Sequence, residues 1–363
     1  MKPQIVFFVT NHIKHLCTSI LLFIYFISAG QQISVDNSLS AQQLVENTLA
    51  QECVIISNIN SSINGDVIGI GSFGYFEREN SNFPFLNGMV LTTGNANSAG
   101  NTINTNVLNE GDSSWGTDSD LESTLGVSNT TNATSIEFNF TSVSSVIGFN
   151  YIYASEEYFA NFPCDYSDRF AFLIREAGTN NAYTNIALVP GTNLPVNSTN
   201  IHDEIDGFCL AENEQYFEGN NVGDTNYNGR TTVLTAVANV TPNIAYEIKL
   251  VIADQTDRNY DSAVFIEANS FTPTVELGED FTTCASTVDL DGDINNSNAQ
   301  YQWFVDGNPI SSATQPLYQV TTSGTYNLEI NILLGNGFCT IGDEITIILD
   351  NSLSTSPMTN IEQ

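Results

Sequence analysis

The sequence has few basic residues, few histidines and no long apolar run, and each shortage excludes a class of function. It holds 8 Lys and Arg against 41 Asp and Glu, so the net charge at pH 7 is -33. Contact with a nucleic-acid backbone or with anionic lipid requires clustered basic residues, so we expect neither. Of three histidines, His12 and His15 lie near the start, which excludes a His-rich zinc site.

The remaining composition favours a folded chain with many turns. The chain has 363 residues, of which 41% are hydrophobic and only 13% are charged. That length allows one large domain and one small one, each able to bury a core. We therefore expect a globular protein that does not recognise its partners through basic side chains.

The first 30 residues have the features of a secretory signal peptide. Lys2 and Lys14 supply the positive start, residues 20–29 form the apolar core, and residues 28–30 (SAG) suit a cleavage site. The apolar core is about ten residues long, too short to span a bilayer. We expect a secreted or cell-surface protein that is not inserted in the membrane after cleavage.

Five cysteines follow the leader. An exported protein favours disulfides, and the economical pairing joins Cys164 to Cys209 and Cys284 to Cys339, each bridge inside one domain. Cys53 is then left over, and its apolar neighbours predict a buried, inert thiol.

The segment after the leader, residues 31–272, has the pattern of an antiparallel β-sandwich. Ser40 and Gln43 have the spacing of a capping box, which predicts one short N-terminal helix. Residues 136–140 alternate apolar and polar side chains, and residues 146–154 are apolar on both faces, as in a central strand. Further strands are predicted at residues 170–174, 186–189, 231–240, 246–253 and 263–271. The expected architecture is all-β and jelly-roll-like.

A second, smaller sandwich is predicted for residues 273–350. Strands are expected at residues 287–290, 300–305, 317–320, 324–332 and 344–349, with a turn at residues 306–309. Trp303 is expected to lie in the core of this unit. Residues 351–363 are expected to form a linker or the tail of a longer protein.

Five motifs resemble those of the choice-of-anchor L domain, over about residues 38–272. They are residues 89–95 (MVLTTGN), 149–158 (FNYIYASEEY), 167–172 (SDRFAF), 185–191 (NIALVPG), and the pair 252–254 (IAD) with 260–265 (YDSAVF). The resemblance implies a surface-exposed, non-catalytic, β-rich module of an exported bacterial protein. Residues 273–350 are similar to an immunoglobulin-like or PKD-like domain, on residues 301–303 (YQW) and 323–328 (SGTYNL).

Acidic side chains cluster at two of these motifs. The candidate metal ligands are Glu156, Glu157, Asp165, Asp168, Asp254, Asp257 and Asp261. Calcium prefers six to eight oxygen ligands, which sandwich loops supply readily, so the two groups could share an ion if they meet at one end of the fold. The competing interpretation is that these acids are solvated or paired with Arg169 and Arg258.

Other acidic groups are weaker candidates. Asp289, Asp291 and Asp293 imitate the start of an EF-hand loop, but Ile294 stands where Gly is required, so a strand is expected instead. Asp118 or Ser119 is expected to cap a short helix that ends at residue 125. No motif singles out a pair of glycosidase carboxylates, so we expect no enzyme.

Aromatic residues near loops suggest a second function. Tyr158, Phe162 and Tyr166 are candidate glycan contacts. Phe159, Tyr216 and Phe217 could join them in a platform on which sugar rings stack. The alternative for most of them is core packing. The preferred function is adhesion or extracellular-matrix contact, with an unidentified surface glycan or protein as partner. The alternative is a carbohydrate-binding module of a larger secreted protein.

Overall fold

The computed structural model describes residues 32–49, 53–334 and 337–350. The predicted signal peptide (residues 1–30) and the predicted tail (residues 351–363) lie outside the described residues. The described chain is built mainly of antiparallel β-sheets, which confirms the predicted all-β sandwich. Within the described ranges, none of the helices combines the length and the apolar character needed to cross a membrane.

The predicted N-terminal helix is present. Helix α1, Ala41–Leu44, continues as a wider helical turn, Val45–Leu49. The Ser40 hydroxyl accepts from the Gln43 backbone N–H at 3.2 Å, and Gln43 Oε1 accepts from the Ser40 backbone N–H at 3.0 Å, which is the predicted capping box.

Helix α2, Ser119–Leu125, begins where the sequence predicts. The Asp118 carboxylate accepts from the backbone N–H groups of Asp120 and Leu121, and Gly126 ends the helix in the left-handed conformation. Short 3₁₀ turns occur at Gly65–Ile68, Ala96–Ala99, Phe162–Cys164 and Glu214–Tyr216.

Fourteen strands make up the described part of the large unit. In chain order they are β1 Ser34–Asp36, β2 Val54–Asn60, β3 Phe73–Glu77, β4 Asn87–Thr92, β5 Thr130–Ser142, β6 Val146–Ser155, β7 Arg169–Glu176, β8 Thr184–Asn185, β9 Phe217–Asn220, β10 Gly229–Thr231, β11 Leu234–Asn239, β12 Ala245–Gln255, β13 Ser262–Glu267 and β14 Thr272–Thr274. One sheet has the order β1-β3-β4-β13-β6-β10-β9, with β11 and β14 also paired to β6. The other has the order β2-β5-β12-β7-β8.

The two sheets pack through an aromatic core. Phe149 of β6 meets Phe172 of β7 with ring centroids 4.6 Å apart, and Phe138 and Phe140 of β5 pack edge-on against Phe271. Phe138 and Phe140 occupy the apolar positions of the alternating pattern at residues 136–140, which is why that pattern predicts the inward face of β5.

The strand predicted at residues 186–189 is wrong in its bounds. The observed β8 ends at Asn185, whose Oδ1 accepts from the backbone N–H groups of Phe172 and Ala187. The Asn185 side chain thus accepts a hydrogen bond from Phe172 in place of a backbone carbonyl, and the chain leaves the strand at this residue. Leu188 then makes only an isolated bridge to Pro195.

The second unit contains seven strands among the described residues. They are β15 Phe281–Thr283, β16 Val288–Asp291, β17 Ala299–Val305, β18 Asn308–Pro309, β19 Leu317–Val320, β20 Gly324–Leu334 and β21 Gly337–Leu349. A five-stranded sheet has the order β15-β21-β20-β17-β18, and β16 pairs with β19. Trp303 is fully buried, as predicted, and Asp289 and Asp291 lie in a strand. The similarity of this unit to immunoglobulin-like or PKD-like domains stays a prediction.

One predicted disulfide is present and the other is wrong. Cys164 is bonded to Cys209, but Cys339 is bonded to Cys53, and Cys284 is an exposed free cysteine. The end of β15 pairs with Leu349, ten residues along β21 from Cys339. Ten strand residues span roughly 30 Å, far beyond the reach of a disulfide.

The Cys53–Cys339 bridge joins the two units, whereas the predicted pairing assumed that each bridge lies within one domain. Cys53 therefore is not the free thiol that the sequence predicts. Near the bridge, the Asn296 side-chain amide donates to the Val143 backbone carbonyl at 2.9 Å, so a buried hydrogen bond also links the units. The bridge closes a separation of 286 residues.

Candidate functional site

Five buried carboxyl groups meet at one end of the large sandwich. Strands β6 and β13 of one sheet and β7 and β12 of the other all begin or end there, and the acids occupy these termini. We call this set the acidic cluster: Glu156, Glu157, Asp168, Asp254 and Asp261. Two further predicted ligands, Asp165 and Asp257, are exposed and lie outside the cluster.

Asp168 connects the two sheets within the cluster. Its Oδ2 accepts from the Ser262 hydroxyl of β13 at 2.6 Å, and its Oδ1 accepts from the Gln255 backbone N–H of β12 at 3.1 Å. The Asp168 backbone N–H donates to Glu157 Oε2 at 2.6 Å. The carboxyl group of Asp168 therefore fixes the spacing of the sheets at this end.

Asp261 and Glu156 tie the cluster to the loop at residues 107–111. The Glu110 backbone N–H donates to both Asp261 oxygens, at 3.2 and 3.3 Å, and the Leu108 backbone N–H donates to Glu156 Oε1 at 3.2 Å. A Cβ on Gly94 would lie 2.0 Å from Asp261 Oδ2, so only glycine leaves room for this carboxylate.

Asp254 is the least satisfied member of the cluster. Its Oδ2 accepts from Asn132 Nδ2 at 2.7 Å, whereas its Oδ1 is buried and has no hydrogen-bond partner of normal geometry. The Thr93 hydroxyl lies beside this carboxylate and lowers its pKa, an effect smaller than those of burial and of Asp261. Because buried polar atoms are nearly always paired, this oxygen marks a place where a partner is missing.

The cluster has no basic partner within the described residues. No Lys, Arg or His nitrogen lies within ion-pair distance of the five acids, since the ion pairs present involve other carboxylates. Of the two predicted partners, Arg169 donates to Gln255 Oε1 at 3.2 Å and only weakly lowers the pKa of Glu157. The charge of Arg258 acts on Asp112 instead.

Burial without a cation raises the pKa of every acid in the cluster. Desolvation is the largest cause and raises the pKa of Glu156, Glu157 and Asp261 to about 7. Desolvation, then the charges of Glu157 and Asp254, raises the pKa of Asp168 well above its ordinary range. Asp254 is raised likewise by desolvation and then by Asp261. Near neutral pH the cluster must hold protons or a cation.

The carboxyl groups do not by themselves form a metal-binding arrangement. In the part of the chain that the structure describes, no three His, Cys, Asp or Glu side chains are grouped as metal ligands. A cation here would need hydroxyl or backbone oxygens besides the acids, such as those of Thr93, Ser155 or Ser262, which lie among them.

A group of aromatic rings at the surface comes from the loops that carry the cluster acids. We call it the aromatic patch: Phe159, Phe162, Tyr166 and Tyr260. Ring centroids are 4.9 Å apart for Phe162 and Tyr260, 5.7 Å for Phe162 and Tyr166, and 6.4 Å for Phe159 and Tyr260. Phe159 is 49% exposed and Tyr166 is 54% exposed.

The predicted glycan contacts are only partly brought together. Phe162 and Tyr166 belong to the aromatic patch, and the Cys164–Cys209 bridge lies between them in the same loop. Tyr158 is 4% exposed, and its hydroxyl donates to the Ile201 carbonyl, so it is a core residue and cannot contact a glycan. The sequence analysis did not identify Tyr260 as a candidate contact. Its position next to the candidate ligand Asp261 was the one sequence feature that pointed to it.

A cavity of about 430 Å³ opens beside Phe159. Segments 103–107 and 221–228 form its walls, and Glu156 of the acidic cluster lines it. We call it the asparagine cavity because amide side chains dominate its lining. The amides are Gln32, Asn104, Asn106, Asn221, Asn226 and Asn228.

Four of the five sequence motifs meet at this end of the fold. Gly94, Glu156, Asp168 and Asp261 come from four separate motifs, and the fifth contributes buried Ala187 and Val189 to the core. The chain is thus an antiparallel β-sandwich protein with a buried acidic end. Residues 32–272 match the choice-of-anchor L domain, and the chain belongs to this family.

Choice-of-anchor domains occur in exported bacterial surface proteins, and this chain is a surface-associated protein. A search of curated proteins finds no match. Among solved structures, a β-1,2-glucanase from Parabacteroides distasonis matches at 10% identity and a TM-score of 0.16. The match covers 62% of this chain and 34% of the glucanase chain, and at that TM-score it carries no argument.

Proposed function

We propose that the chain is a non-catalytic adhesion protein that contacts its partner through the aromatic patch. One observation carries the proposal: two half-exposed rings, Phe159 and Tyr166, join Phe162 and Tyr260 in a contiguous surface group. Single exposed apolar residues are ordinary, but contiguous aromatic surface is typical of binding sites. The disulfide in this loop limits the entropy lost when a partner binds.

The placement of the acids supports a non-catalytic role. A glycosidase needs two carboxyl groups that face each other across the substrate. Asp168 and Asp254 are fully enclosed between the sheets, and Glu156 is the one cluster member that lines the asparagine cavity. The five acids therefore fit a structural role better than the handling of a substrate.

An adhesion assay tests the proposal. The full chain would be applied to mucin-coated and collagen-coated surfaces and to itself, and retention measured. We expect the double variant Phe159→Ser, Tyr166→Ser to lose most of the binding that the parent chain shows. The control variant Phe281→Ser removes an aromatic ring of similar exposure from the second unit. Equal binding by the patch variant and the control would refute the proposal.

We further propose that calcium stabilises the acidic end. The support is electrostatic, because five buried carboxyl groups lack a cation and Asp254 Oδ1 lacks a partner. Calcium accepts six to eight oxygens in flexible geometry, so carboxylates, hydroxyls and carbonyls can share it. The competing account is that the acids stay protonated and need no metal.

Melting curves separate the two accounts. At pH 8 we expect millimolar calcium to raise Tm by several degrees over EDTA, and Asp254→Asn to remove most of that rise. Magnesium, which demands six ligands in strict geometry, should give less. The same Tm in EDTA and in calcium would eliminate the metal and leave protonation as the explanation.

A carbohydrate-binding module is the second candidate, and the asparagine cavity is the observation that favours it. Neutral amides and an aromatic ring side by side suit a ligand with hydroxyl groups and an apolar face.

A further inference from the structure

We infer that the asparagine cavity binds a neutral sugar, with one ring of the sugar packed on Phe159 and its hydroxyls bonded to the amides. The inference rests on the proposed function as a binding protein and specifies the ligand class of one binding site. It differs from the aromatic patch as a whole, because Phe159 is the patch member that lines the cavity.

The lining amides divide into a structural set and a free set. Asn226 is fully used: its Oδ1 accepts from Gln32 Nε2, and its Nδ2 donates to the carbonyls of the 98–102 segment. Asn228 Nδ2 donates to the Glu156 carbonyl at 2.8 Å. The amides of Asn106 and Asn221 also line the cavity, are exposed, and can take a ligand.

The shape and charge of the cavity favour a neutral sugar over other ligands. Its volume of about 430 Å³ lies within the range of small-molecule sites. Phe159, Ile103 and Val107 add apolar surface to the amides, and this mixture suits a sugar ring with C–H groups on one face and hydroxyls around its edge. With a net charge of -33 and Glu156 in the lining, the protein repels anionic ligands.

A glycan array with matched variants tests the inference. The full chain would be probed with neutral, sulfated and uronic-acid glycans, and the best neutral glycan titrated. We expect Asn106→Ala with Asn221→Gly to weaken that binding at least about tenfold, since two hydrogen bonds are lost. Glycine suits position 221, where φ is +51°. Asn243→Gly, at φ +64° and away from the cavity, is the control.

The outcomes distinguish this inference from the proposed function. Tyr166→Ala should leave neutral-glycan binding within about twofold, because Tyr166 does not line the cavity, while it reduces adhesion. Adhesion without any neutral-glycan binding, or glycan binding that the 106/221 variant retains, overturns the sugar site and leaves adhesion standing. If the parent chain shows neither adhesion nor glycan binding, the sugar site and the proposed adhesion function are both overturned.

Discussion

Strand β12 carries two sites that bury carboxylates, and they solve the same electrostatic problem differently. Lys249 faces the outer side of the strand, where its ammonium group meets Asp118, Asp120 and Glu137. Asp254 lies five residues further on and faces the space between the sheets, where its neighbours are other acids. One group of acids has a lysine, and the other has none.

The contrast shows in the pKa directions. Desolvation lowers the pKa of Lys249, but its hydrogen bond to Asp120 and the charges of Asp118 and Glu137 outweigh it, so the net shift is upward. At the acidic cluster burial raises each carboxyl pKa and no cation opposes it. The lysine site is therefore stable as an ion cluster, whereas the acidic cluster is stable when protonated or bound to a cation.

Removal of the lysine should have the largest effect. We expect Lys249→Met to destabilise the large unit by about 3–5 kcal/mol, because three carboxylates lose the one cation that they share. The measurement is urea unfolding of the full chain at pH 7. The double variant Lys249→Met, Asp118→Asn should recover part of the loss. If Lys249→Met costs no more than an exposed lysine would, the buried ion cluster is not important for stability.

The pH dependence should come next in size. The folded-state pKa values of Glu156, Glu157 and Asp261 are about 7, above their ordinary values near 4. The folded state thus binds more protons than the unfolded state between pH 4 and 7, so stability is fullest below pH 4 for these groups and falls as pH rises through 7. In EDTA we expect Tm to drop by several degrees from pH 5 to pH 8.

A carboxamide variant serves as the control for that dependence. Glu156→Gln with Asp261→Asn removes two of the titrating groups and should flatten the drop. A Tm that rises from pH 5 to pH 8 in EDTA would mean that the cluster is ionised and compensated by something other than protons.

The sequence predicts the layers of this fold better than it predicts the site. Alternation at residues 136–140 identifies an inward face, and the Ser40 and Asp118 caps mark both helices, because these features are local. The acids of the cluster could be named as candidates, but their lack of a basic partner depends on which strand ends meet. The Cys53–Cys339 bridge is similarly invisible to sequence, since nothing local relates residues so far apart.

Burial also separates residues that look alike in sequence. Tyr158 and Phe159 are adjacent, yet Tyr158 is a core residue, whereas Phe159 is exposed and lines the cavity. Alternation along an extended segment allows both outcomes, and only the packing of the loop against Ile201 decides between them. Glu156 and Glu157 are both buried, but only Glu156 lines the cavity.

Single amide substitutions should give the smallest effects and the sharpest contrast, because they are expected to differ in sign. Asp118→Asn keeps an effective helix cap but removes a charge next to Lys249, so at pH 8 in EDTA it should destabilise by about 1 kcal/mol. Asp254→Asn removes a charge that has no cation and can still accept from Asn132, so it should stabilise by about 1 kcal/mol. Both are measured by urea unfolding. Burial and the charge of Asp261 raise the pKa of Asp254, so the gain should shrink as the pH falls from 8 to 5. A loss of stability at both pH values would show that the carboxylate already has a partner.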